Sequence, residues 1–267
     1  MPSPLSSASE EISPTGLETE QAAPVRKGEY ARRGEFHRNL NPNWSYYPIY
    51  VNKLEVVDEL LQRYHFSRFN RETQQGRILD AGCGEGVLVE KYAQQGWDII
   101  GVDKNYASAY VREGSILEIP FEDNTFDTIM ALDVLEHLNY HQQPLALKEL
   151  KRVLKPGGTL IFSCPNLAHF TARLKLMFRG KLLRTATWGH HPGDRPMCEY
   201  EELFASVGYE ILERTGLFPT VPPIYRMVMR HPGQSANLIR QLRKVPFPVN
   251  WHFQILFACR LPQEAKA

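Results

Sequence analysis

The chain has 267 residues, 43% hydrophobic and 23% charged, enough to bury a core in one large domain or two small ones and too apolar for a disordered protein. Its formal net charge of +1 hides an asymmetry: residues 1–150 carry 14 Lys/Arg against 23 Asp/Glu, and residues 151–267 carry 17 against 7. Nucleic-acid binding by bulk charge is thereby excluded, whereas a local basic surface in the second half, or two halves that face each other, is not.

Residues 1–27 are rich in Ser, Pro, Glu and Ala and are expected to form a disordered tail. They lack the basic start and apolar stretch of a secretory signal. Residues 28–50 set Phe36, Trp44, Tyr46, Tyr47 and Tyr50 among polar side chains, an aromatic cover segment that orders only by folding over something else. Val51–Tyr64 spaces Leu54, Val57, Leu60 and Leu61 as an amphipathic helix does. After Gly76, short apolar runs alternate with helical stretches. Strands are expected at 77–81, 98–103, 126–132 and 159–164, and helices at 86–95 and 141–154, the latter stopped by Lys155-Pro156-Gly157-Gly158. This alternation predicts an α/β fold with a parallel sheet covered on both faces. In such sheets ligands bind beyond the carboxyl ends of the strands, here the loops after Ala81, Val102 and Leu132. A helix at 199–207 and strands at 209–215 and 253–260 follow, with a Pro-rich, poorly periodic basic and apolar insertion at 216–252. The core is thus expected over 51–215 with its final strand at 253–260. No apolar run approaches the roughly 20 residues that span a bilayer. Cys83, Cys164, Cys198 and Cys259 are scattered without a CxxC pair, which argues against disulfides or structural zinc and fits a cytoplasmic setting.

The strongest motif is Asp80-Ala81-Gly82-Cys83-Gly84-Glu85-Gly86 between a strand and a helix, with Asp103 closing the next strand. A dinucleotide fold uses G-x-G-x-x-G and seats a pyrophosphate on the helix N-terminus. Here the third glycine comes one residue early, and Asp80 would repel a pyrophosphate. The same carboxylate suits S-adenosylmethionine (SAM), which has no phosphate but carries an ammonium and a sulfonium. Asp103 is placed to take ribose hydroxyls in either case.

The runs ILDAGCGEGVL, GVD, IPFEDNTFDTIMALDVLEHL and LKPGGTLIFSCPN, arriving in that order over about residues 50–215, resemble the class I SAM-dependent methyltransferases. Within these the chain is most similar to the group of quinone-biosynthesis and other small-molecule enzymes. The resemblance implies a Rossmann-like, doubly wound sheet of seven strands with the last antiparallel. It also implies SAM held by Asp80, Gly82, Cys83, Gly84 and Gly86, by Asp103 at the ribose, and by Lys104, Leu132 and Asp133. The family often places an acid after Gly114 for the adenine amino group; this chain has Ser115, so Ser115 and Ile116 are the adenine candidates. Only ten residues separate Asp103 from Gly114, so the helix after the second strand is expected to be short or missing.

The acceptor should face Asp133-Val134-Leu135-Glu136-His137, with His137 the candidate base because its ordinary pKa lies near neutrality. The alternative is a structural histidine in a loop-packing block. Asp133, Glu136 and His137 at i, i+3 and i+4 also share one helical face, and O/N clusters of this kind bind divalent metals. Some relatives that methylate quinols or small RNAs have a similar block plus a later histidine, here His190 or His191. A metal-free site is nevertheless the main expectation. In the basic half, Leu167, Phe170, Leu174, Met177 and Phe178 form an apolar stripe beside Arg173, Lys175, Arg179 and Lys181, and residues 214–263 contain no acid. Such segments suit an anionic membrane surface or a lipid-like acceptor, or they dock on the acidic half. The expected function is methyl transfer to a small-molecule or lipid-like acceptor, at oxygen by preference, with nucleic acid disfavoured and peripheral membrane contact open. A non-catalytic SAM-binding scaffold is the competing class.

Overall fold

The computed structural model describes residues 24–73, 75–187 and 189–263. The apolar runs form β2 (Ile78–Ala81), β3 (Ile99–Asp103), β5 (Val111–Glu113), β6 (Phe126–Leu132) and β7 (Leu154–Pro165), with β8 (Glu210–Gly216) and β9 (Gln254–Arg260) completing one sheet in the order β5-β3-β2-β6-β7-β9-β8. The last strand, β9, inserts between β7 and β8 and runs antiparallel to both, with Phe162 opposite Phe257. Central strands are apolar throughout because both their faces are covered. Leu79, Ala81, Ile129 and Phe162 pack with Leu147 and Leu150 of α4 (Gln142–Val153) and with Tyr200 and Phe204 of α6 (Met197–Val207). On the other face Ile78, Met130 and Ile161 pack with Val57 and Leu60 of α2 (Tyr47–Leu61) and with Leu88 and Val89 of α3 (Val87–Gln94). Burying each such side chain contributes roughly 1.5–3 kcal/mol.

The short span after Asp103 holds no helix. Instead β4 (Tyr106–Ala107) pairs antiparallel with β1 (Val25–Arg26) outside the main sheet. Val25 and Arg26 fall inside the expected tail, and the pairing, reinforced by the Lys27 N–H to Asn105 O bond at 2.8 Å and the Lys27–Glu113 ion pair, gives them a place. The rest of that tail, residues 1–23, lies outside the described residues. A short α1 (Gly28–Arg33) leads to the aromatic segment, and α2 starts at Tyr47, four residues before Val51, with Pro48 in its first turn.

The insertion is more regular than its sequence pattern. It folds into α7 (Pro222–Arg230) and α8 (Ala236–Leu242), two short helices joined by a helical turn at Pro232–Gln234. Val228 and Ile239 are fully buried in the α2 side of the core. Arg240 pairs with Glu55, and Arg243 with Glu59 at 2.8 Å and Glu55 at 3.7 Å, all across to α2. Part of the basic half thus faces the acidic half of the same chain. The α5 helix (Phe170–Arg179) behaves differently. Its inner side is Thr171 and Ala172, whereas Met177 and Phe178, expected in an apolar stripe, are 67% and 75% exposed. No helix of the described residues is long and apolar enough to cross a membrane.

Candidate active site

A cavity of about 860 Å³ opens beyond the carboxyl ends of β2, β3 and β6, within the size range of small-molecule sites. Its first half is built by the glycine turn. Gly82 and Gly84 have φ of 77° and 57°, which β-carbons disfavour, and a Cβ on Gly82 would sit 2.6 Å from Val134. The Gly84 N–H donates to Asp103 Oδ2 at 2.9 Å and the Asn105 N–H to Oδ1 at 2.8 Å, fixing the acid at the end of β3. Asp80 is 4% exposed, and among the described residues no side chain hydrogen-bonds or pairs with it. Burial, then the nearby Asp103 charge, push its pKa up to about 7 against the opposing pull of Lys53.

Cys83, Lys104, Ser115, Ile116 and Leu132 line this half, with the Ser115 hydroxyl accepting the Leu117 N–H. Gly86 is the one residue of the expected set that does not line the cavity; it caps α3 and lies against Val111. Above the turn, the fully buried Glu85 carboxylate accepts the backbone N–H groups of His37 and Arg38. This clamps the aromatic segment over the cavity and sets the Tyr30 hydroxyl against Gly84.

The second half is assembled from distant segments. Asp133 has a left-handed φ of 56°, and its carboxylate accepts four hydrogen bonds: Ser163 Oγ (2.5 Å) and Gln254 Nε2 (2.5 Å) on Oδ1, Tyr46 Oη (2.8 Å) and Lys53 Nζ (2.6 Å) on Oδ2. Burial raises the Asp133 pKa, but the Lys53 charge and these bonds overrule it and bring it down to about 2. With all four lone-pair directions used, Asp133 has no capacity for a metal ion, which corrects its place among the metal candidates. Lys53 itself lies over the rings of Tyr50 and Tyr46, at 4.8 and 5.6 Å.

Glu136 is 1% exposed and its Oε2 has no hydrogen-bond partner among the described residues; burial, then Asp133, push its pKa well above the carboxylate range. His137 projects at the mouth of the cavity with Nδ1 3.0 Å from the His190 carbonyl. Partial burial, then His191, lower its pKa, so the ring is neutral at pH 7. Phe36, Trp44, Tyr46, Tyr50 and Phe253 line the same cavity. Trp44 contacts Phe36 and Tyr46 edge-on at ring distances of 4.8 and 5.2 Å. None of the described residues 217–252 lines the cavity; its lining comes instead from the N-terminal segment and from Thr185, Ala186, Gly189, His190 and His191.

Sequence reasoning missed Lys53, Tyr30, Thr185 and Gln254. Lys53 lies in an amphipathic helix and Gln254 at a strand start, where nothing local marks a site.

A strand, a tight glycine turn and a helix, followed by an acid at the end of the next strand, define a SAM-binding Rossmann-like domain. The donor set fits that cofactor: a buried carboxylate without a cation partner suits its ammonium and sulfonium, and Asp103 retains acceptor capacity for ribose hydroxyls. Residues 79–162 match the family described as Methyltransferase domain. Over 189 residues the chain is 28% identical to a probable S-adenosylmethionine-dependent methyltransferase of Mycolicibacterium smegmatis, covering 67% of this chain and 68% of that one. Over 183 residues it is 29% identical to a ubiquinone biosynthesis O-methyltransferase of Azorhizobium caulinodans, covering 62% and 72%. The solved structure of the PH0226 protein from Pyrococcus horikoshii superposes with a TM-score of 0.54 at 17% identity, covering 88% and 99%. In sequence and fold the chain is similar to the class I SAM-dependent methyltransferases, and the matched domain and relatives support SAM as its cofactor.

Proposed function

We propose that this methyltransferase alkylates a hydroxyl on a flat, aromatic small molecule with an apolar, lipid-like extension. The observation that carries the reading is the second half of the cavity, lined both by a cluster of aromatic side chains and by a neutral histidine. Aromatic faces bind planar rings by offset or edge contacts, each worth about 0.5–1.5 kcal/mol beyond area burial. SAM, when bound, supplies an electrophilic methyl on a sulfonium, whose S–C bond breaks as the new O–C bond forms.

The chain's own part is orientation and proton removal. The His190 carbonyl can only accept, so His137 Nδ1 carries the hydrogen and Nε2 is left as a bare proton acceptor for the substrate hydroxyl. Asp133, fixed by four donors, holds Tyr46 and Lys53 in place along the wall. The aromatic cover held by Glu85 excludes water from the transfer. Relatives named ubiquinone biosynthesis O-methyltransferases support oxygen as the atom and an aromatic acceptor with a lipid-like extension.

A peripheral membrane contact fits the same reading. Leu176, Met177, Phe178 and Leu182 are exposed among Arg173, Lys175, Arg179 and Lys181, and the chain runs from there directly to Thr185 and His190 at the cavity.

The test is methyl transfer from SAM to simple phenols and catechols, measured as S-adenosylhomocysteine formed. His137→Ala is expected to lower kcat by about 10²-fold or more with SAM affinity unchanged. No turnover with any phenolic acceptor, or full kcat in the variant, would overturn the reading.

A further inference from the structure

His137, His190 and His191 each offer a ring nitrogen within 4.8 Å of the others, at the cavity mouth. They come from the short helical turn Leu135–His137 after β6 and from the loop before α6. His190 and His191 stack at a 5.1 Å ring separation, and His137 stands edge-on to both, at 4.9 and 4.7 Å.

The tautomers of two of the three rings follow from their partners. Nδ1 of His137 faces a carbonyl, so it is the protonated nitrogen. Nδ1 of His191 lies 2.9 Å from Thr185 Oγ1 and 3.3 Å from Asp194 Oδ1. The Thr185 hydroxyl donates its hydrogen to Asp194 Oδ2 at 2.6 Å, so here too Nδ1 must donate. Asp194 is fully buried, and its Oδ1 has no hydrogen-bond partner within normal distance. Both histidines therefore present a bare Nε2, each backed by an oxygen acceptor. A buried carboxylate or carbonyl behind a histidine is the arrangement that orients and strengthens imidazole ligands of metal ions.

We propose that His137, His190 and His191 form a binding site for a divalent transition-metal ion of the zinc or cobalt type, with its remaining position open to the cavity. Three imidazole ligands select such ions over magnesium or calcium, which take oxygen ligands. In a tetrahedral site with bonds of 2.0–2.1 Å the nitrogens stand about 3.3 Å apart, nearer than the 4.8 Å within which one nitrogen of each ring lies, so exposed His137 and His190 must close in on His191. Asp133 takes no part, its lone pairs being spent. Buried Glu136, whose Oε2 is unpartnered, faces the same cavity.

The consequence for chemistry rests on the acceptor reading given above. The open position takes the acceptor hydroxyl oxygen, the ion lowers its pKa, and the proton leaves to solvent water. In the loaded protein His137 is then a ligand, and the acceptor's proton passes to water instead of to its ring.

The test is titration of chelator-treated protein with Co2+. One equivalent is expected to bind, with the visible absorption of four-coordinate cobalt, and to be displaced by Zn2+. His190→Ala/His191→Ala, at an exposed and a mostly buried position, should weaken binding more than about 100-fold, and Asp194→Asn about 10- to 100-fold, with SAM affinity retained as the folding control. Absence of stoichiometric cobalt binding, or an unchanged spectrum in the double variant, overturns the site. Methyl transfer at full rate after the ion is removed overturns its catalytic part and leaves His137 as the base. Cobalt binding needs no acceptor, so a protein that binds cobalt but methylates no phenol sinks the function proposed above and leaves the metal site standing.

Discussion

The donor half of the cavity is drawn almost wholly from one stretch, Asp80 to Ile116, while the acceptor half combines the N-terminal aromatic segment, α2, the turn after β6, Thr185, Ala186 and Gly189 to His191, and the start of β9. The first half is held by backbone: positive-φ glycines and N–H groups that fix Asp103. The second is held by side chains that meet only in the finished fold, with Asp133 at their centre. The chemistry every member of the class shares can be carried by a contiguous turn. What distinguishes one acceptor from another is spread over the whole chain.

The sharpest way to break this contrast is at Lys53. Lys53→Met leaves the Asp133 charge buried without its cation, and should destabilise the protein by about 3 kcal/mol, read from urea unfolding. The double variant with Asp133→Asn should recover part of that loss. Because the folded pKa of Asp133 is depressed to about 2, its contribution is full above the ordinary carboxylate value and fades only as pH falls toward about 2. An equal loss in the single and double variants would show that the pair is not the hub.

Asp80→Asn tests the donor half. SAM affinity should fall about 100-fold by calorimetry, with stability nearly unchanged. A cation binds the ionised carboxylate, so wild-type affinity should rise with pH up to about 7 and then level, and the variant should lack that component. Identical pH profiles would detach Asp80 from the cofactor.

The smallest effect is expected at α5, outside both halves. Phe178→Ser should weaken co-sedimentation with anionic vesicles about tenfold, a loss of roughly 1.5 kcal/mol, without changing SAM affinity. Equal binding of both proteins to neutral vesicles would remove the membrane contact.

The sequence carries the donor half openly because a glycine turn at a strand end has local requirements that leave a local trace. The strands were legible for the same reason: a buried central strand is one apolar run, as at 126–132. The missing helix after β3 followed from simple chain length, but its replacement by a ribbon with Val25–Arg26 did not, since a two-residue pairing has no pattern to detect. The α5 stripe shows the converse failure. Its apolar residues keep helical spacing, yet the spacing does not say whether the face meets a core or solvent. Asp133 was legible as a cavity residue but not as a hub, because Tyr46, Lys53, Ser163 and Gln254 converge on it from four separate places in the chain.

That convergence sets an order of assembly during synthesis. Tyr46 leaves the ribosome 208 residues before Gln254, and β9 must slip between β7 and β8 before the last bond to Asp133 can form. A nascent chain can shape its glycine turn long before it owns a finished acceptor wall, so competence to methylate arrives only with the final strand.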